Sequence, residues 1–116
     1  PEYEQEVKVP EKVWPLRIWY MYDQDVCTLI DVNERERKVK IKNYTDKIMF
    51  RAFGVMEEPD YNQYIEFLES RCFPESRDKM KLILKDLGLP FYDPIMIIEK
   101  TEGRMAEDDF WIRIER

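Results

Sequence analysis

LRIWYMY, residues 16–22, sets Leu16, Ile18, Tyr20 and Tyr22 against Arg17, Trp19 and Met21. A period of two is the signature of a strand with one buried face. DQD (23–25) supplies turn residues, and VCTLIDV (26–32) is β-branched and apolar enough for a second strand, so the two segments read as a hairpin. NERERK (33–38) is a charged turn. It leads into VKIKNY, where Val39 and Ile41 face inward and Lys38, Lys40 and Lys42 face outward. Outward lysines discourage edge-to-edge pairing, so this third strand is expected at a sheet edge.

Beyond it, TDKIMFRAFGVMEEP is apolar without a clean period and reads as a loop covering the core. The period then becomes helical: Tyr61, Tyr64, Ile65, Leu68 and Cys72 recur on one face, which predicts a helix from Pro59, in its first turn, to about Arg71. PESRDKMKLILKDLG predicts a second helix. Pro74 and Glu75 stand at its start, Met80, Ile83, Leu84 and Leu87 form its apolar stripe, and Gly88 stands at its end. YDPIMIIEKTEG predicts a third, with Asp93 as N-cap, Pro94 as first residue and Gly103 closing it. FWIRIER returns to alternation, Phe110, Ile112 and Ile114 against Trp111, Arg113 and Glu115.

Three strands, three helices and a strand predict an α+β fold, a small antiparallel sheet of about four strands covered on one face by about three helices. Residues 13–116 are expected to form one domain preceded by a flexible, charged arm over residues 1–12.

The chemistry in the chain excludes more than it selects. It has no histidine, which removes the commonest general base and most transition-metal sites. Its three glycines form neither a dinucleotide nor a phosphate-binding loop. Cys27 and Cys72 follow no metal-ligand spacing and are expected to be reduced core thiols. The acidic run EDD (107–109) lacks the spacing of a calcium loop and reads as a turn or cap. No catalytic, cofactor-binding or metal site is expected, and the chain is expected not to be an enzyme. The formal charge of −6 disfavours direct nucleic-acid binding, which relies on local positive charge. No apolar run reaches a membrane-spanning length and the first residues do not read as a signal peptide, so a cytoplasmic location is expected.

FLESRCFPESRDKMKLILKDLGL followed by YDPIMIIEKTEGRM resembles the N-terminal subdomain of HipA-type toxin kinases. The matching positions are Phe67, Leu68, Phe73, Pro74, Glu75, Arg77, Tyr92, Asp93 and Gly103, within a resemblance covering roughly residues 16–114. The sequence holds neither the ATP-binding loop nor the catalytic-aspartate motif of such kinases. The resemblance therefore implies a non-catalytic regulator, an antitoxin-like protein that binds and restrains a HipA-type kinase. An acidic inhibitor imitating nucleic acid, such as a mobile-element anti-defence protein, is the alternative. The 19 interspersed basic residues weaken it, because a mimic needs a continuous negative face.

Aromatic residues and arginine carry much of the binding energy at protein interfaces. Trp19, Trp111 and Arg113 have the strand parity opposite to the expected core, so one surface holds all three if their strands are neighbours. They are the expected partner-binding residues. The competing reading is that the helices cover that face and the tryptophans are core.

Overall fold

The computed structural model describes residues 9–116. Most of the arm expected over 1–12 lies outside the described residues. β1 (Leu16–Tyr22), β2 (Asp25–Asn33) and β3 (Lys38–Asn43) follow one another as an antiparallel meander. Helices α1 (Tyr61–Ser70), α2 (Met80–Leu87) and α3 (Pro94–Thr101) come next, and β4 (Phe110–Glu115) returns to pair antiparallel with β1. The sheet order is β3-β2-β1-β4, which places the lysine-bearing β3 at an edge, as its sequence leads one to expect.

Alternation sorts the strands into two faces. Leu16, Ile18 and Tyr20 of β1, Ile30 and Val32 of β2, and Ile112 of β4 pack against Tyr64, Phe67 and Leu68 of α1 and Ile95 and Ile98 of α3. One departure from alternation is built in: the pairing slips between Tyr20 and Met21, leaving Cys27 as an extra residue in β2. This bulge lets both Cys27 and its neighbour Thr28 serve the helix side. Cys27 joins the core, while the Thr28 hydroxyl donates to Asn43 Oδ1 (2.9 Å) and accepts from the Ala52 amide (3.0 Å). The apolar 45–59 segment is thereby tied to the sheet. It contains a 3-10 turn at Ile48–Phe50, and its Phe50 and Phe53 pack on the core.

Helix boundaries differ from expectation at two starts. α1 begins at Tyr61, not Pro59, because Asp60 and Gln63 form a reciprocal capping box at 2.8 Å in each direction. α2 begins at Met80, six residues after Pro74. Residues 74–79 form turns, with Arg77 N donating to Pro74 O, and Lys79 has φ 61°, outside right-handed helical space. Ser76 and Asp78 favour such local turns over helix, and that preference wins here over the proline signal. FPESR therefore lies in the corner between two helices, and Pro74 does not start the second one. Of the expected stripe, Leu84 is buried and with Cys72 and Ile97 forms a second small cluster flanked by Phe73, Met80, Leu87 and Tyr92, while the half-buried Ile83 belongs to neither cluster.

Arg71 caps the end of α1, and its guanidinium reaches across to the segment joining α3 to β4. It donates to Gly103 O (3.0 and 2.7 Å), to both Asp108 carboxylate oxygens (3.0 and 3.1 Å) and to Phe110 O (2.9 Å). Ile112 N donates to Glu102 O at 2.7 Å and Phe110 N to Asp108 Oδ1 at 3.0 Å. These contacts occupy much of the outward edge of β4, which would otherwise offer free ladder groups to another strand.

Candidate functional site

The sheet face turned away from the helices is the principal candidate. Register arranges it as rows running across the strands. Lys40, Asp31, Arg17 and Glu115 form one row of alternating charge. Lys42, Leu29, Trp19 and Arg113 form the next, and Val26, Met21 and Trp111 a third. Trp19, Trp111 and Arg113 therefore share one face, because β1 and β4 are neighbours and Trp19 is directly opposite Arg113. Among the described residues, neither tryptophan belongs to the clusters that pack the helices against the sheet.

Each aromatic side chain here is held by a cation or a hydrogen bond. The Arg113 guanidinium lies 4.2 Å from the Trp19 ring centroid, and Trp19 Nε1 donates to Glu115 Oε1 at 2.9 Å. Arg104 lies 5.0 Å from the Trp111 centroid, and Trp111 Nε1 donates to Asp23 O at 2.6 Å. Lys40 lies 4.8 Å from the Trp14 centroid. Both sheet tryptophans are half-buried, whereas Arg113 is exposed.

At the centre of the face Arg17 and Asp31 form a two-pronged ion pair, Nε to Oδ1 at 2.7 Å and Nη2 to Oδ2 at 3.1 Å. Both are buried, at 3% and 7% exposure. Donating to the Asp31 carboxylate raises the Arg17 guanidinium above its ordinary value. Leu29 beside them is also buried, and Pro10 and Glu11 lie with Leu29, Asp31 and Lys40 around one shallow depression. Described residues of the expected arm thus border the β2–β3 side of this face, while the β1–β4 side carries the two tryptophans.

The charge of the face opposes that of the whole chain. Arg17, Lys38, Lys40, Lys42 and Arg113 are cationic, against Asp31 and Glu115. Alternation in the sequence was enough to find this face; the Arg104 and Asp23 contacts, supplied by loops, carried no local signal.

Elsewhere, Cys27 and Cys72 are free and buried. Asp108 of the acidic run is engaged by Arg71 and by the Phe110 amide, and among the described residues no group of three or more carboxylates or thiols converges as a metal site. No described helix is long and apolar enough to cross a membrane. Compared with protein-family models, curated proteins and solved structures, the chain matches none.

Proposed function

We propose that the protein is a non-catalytic, cytoplasmic regulator that binds a protein partner through its helix-free sheet face, with Trp19, Trp111 and Arg113 as anchors. The observation that carries this reading is the juxtaposition of the three side chains on β1 and β4, on a face whose far edge carries the lysines of β3 and whose charge is opposite to that of the chain. Half-buried tryptophans with arginines on their rings supply large contact area at small cost in side-chain entropy. The excess of cations favours a partner presenting carboxylates. The resemblance to the HipA-type N-terminal subdomain makes such a kinase the first partner to test, with the chain in an antitoxin-like role.

Two nucleic-acid readings rank below this one. A mimic needs uninterrupted negative charge, and the lysines of β3 break it on this face. Single-stranded nucleic acid would need free aromatic faces for base stacking. Arg113 and Arg104 already lie over the tryptophans.

The test is binding of a purified HipA-type kinase to the chain and to its Trp111→Ala and Arg113→Ala variants. Folding is checked by melting, and a single-stranded oligonucleotide serves as competitor. Each substitution should weaken binding by about 1 kcal/mol or more without loss of fold. The exposed loop residues Met49 and Val55 provide a control surface. Unchanged affinity in both sheet variants, with loss in Met49→Ser, would move the interface to that loop. The chain alone should neither bind ATP nor transfer phosphate.

A further inference from the structure

On the helix side, away from the tryptophan face, a cleft of about 330 Å³ opens between α1 and the start of α3. Tyr61, Tyr64 and Tyr92 line it, and Glu34, Glu69, Glu75 and Asp93 surround them. No lysine or arginine contributes to the lining. Acidic side chains at a surface are ordinary; what lies beneath them is not.

Tyr64 has 0% exposure, and its hydroxyl is the one buried side-chain polar atom among the described residues without a hydrogen-bond partner. Buried hydroxyls are almost always satisfied, so an orphan beside a cleft points to a group that is not part of the chain. Tyr64 itself lines the cleft beside Glu34 and Asp93, and Arg116, outside the lining, also acts on its hydroxyl. Burial raises the phenol above its ordinary value, so it is protonated and neutral at physiological pH.

The chemistry selects the ligand class. An ammonium or guanidinium group has donors only, matching carboxylates and a hydroxyl lone pair. Tyrosine rings add attraction for a cation over their faces, and Arg37 already occupies such a position 5.8 Å from the Tyr61 centroid. A metal ion fits less well, because the carboxylates do not converge. An anion is excluded by the carboxylates, and the first amide of α3 is already taken: Ile95 N donates to Asp93 Oδ1 at 3.1 Å. We propose that this cleft binds a primary ammonium or guanidinium group, with the rim carboxylates as counter-charge and the Tyr64 hydroxyl as acceptor.

The probe is agmatine, which carries both groups, titrated into the isotope-labelled chain with the neutral 1,5-pentanediol as control. Agmatine should give saturable shifts at Ile65, Leu68 and Ile95, and the diol none. Tyr64→Phe removes only the orphan hydroxyl, so it should fold at least as well as the parent and bind agmatine about tenfold more weakly. Glu34→Gln with Glu69→Gln should weaken binding about tenfold together. Nα-acetylarginine amide separates the sources. Equal binding of this probe assigns the cleft to a basic side chain of a partner, and preference for agmatine assigns it to a free amine. The proposal is overturned if neither cation saturates the cleft below about 10 mM, or if the Tyr64→Phe and the double Glu variants bind agmatine as the parent does.

Discussion

Arg71 shows how much one side chain settles. It is buried at 6% exposure, and it satisfies two backbone carbonyls and a carboxylate that belong to the turn entering β4. Arg71→Ala should cost about 3 kcal/mol, because the carbonyls and Asp108 lose their donor while water reaches them poorly. Arg71→Lys should still cost about 2 kcal/mol, since one ammonium cannot reproduce a planar fork. Urea unfolding measures both, and a lysine variant as stable as the parent would refute the fork argument. Hydrogen bonding from Arg71 holds the Asp108 carboxyl below its ordinary 3.8. A depressed carboxyl adds stability that is fully present above its unfolded value and is lost as pH falls through the folded one. Stability should therefore begin to drop below about pH 4, and Asp108→Asn should lack that component of the acid loss. Gly103 offers a comparison at the same turn. Its φ is +61°, and a Cβ there would lie 3.1 Å from Ile112 Cδ1, whereas Gly88, at φ +74°, faces open space. Gly103→Ala should cost about 2–3 kcal/mol and Gly88→Ala about 1 kcal/mol, the difference being the crowded isoleucine. Equal losses would show that Ile112 yields freely.

At the scale of elements, legibility followed the range of the forces involved. β1, β3 and β4 were readable because alternation is local, and the same parity placed Trp19, Trp111 and Arg113 on one face. The β2 bulge was not, since only pairing with β1 reveals Cys27 as the extra residue. Nor was Arg71, whose partners lie 32 to 39 residues away in the chain. The acidic cleft escaped notice for the same reason: Glu34 comes from the β2–β3 turn and Tyr92 and Asp93 from the entry to α3. α2 illustrates a local signal overruled by another local signal, turn-forming Ser76 and Asp78 against Pro74. It is short, starts after a left-handed Lys79 with no side-chain cap, and relies on Leu84 in the small cluster. Eight-residue helices are marginal without tertiary support. Leu84→Ala should therefore cost about 2–3 kcal/mol, and faster amide exchange should be confined to α2. An unchanged melting curve would mean that the stripe contributes no packing.

At the scale of the whole molecule, stability should be uneven. A large core joins the sheet to α1 and α3, and a small cluster of Cys72, Leu84 and Ile97 attaches α2. Each contains one free cysteine, so the protein carries a reporter in both. Burial, with the charge of Asp25, pushes the Cys27 thiol up to about 11. Burial also raises Cys72, opposed by its contact with the Tyr92 hydroxyl at 3.5 Å. Only the thiolate reacts, so both should be slow toward iodoacetamide at neutral pH until the structure opens. Release of α2 uncovers Cys72 while the sheet stays intact. Exposure of Cys27, at the bulge between sheet and helices, requires the main core to come apart. Cys72 should therefore label first, at a rate that rises weakly with urea, and Cys27 later, with the steep urea dependence of global unfolding. Leu84→Ala should accelerate Cys72 strongly and Cys27 only as far as overall stability falls. Mass spectrometry of the labelled peptides decides the matter, and equal rates for the two thiols at low urea would mean that both clusters open as one cooperative unit.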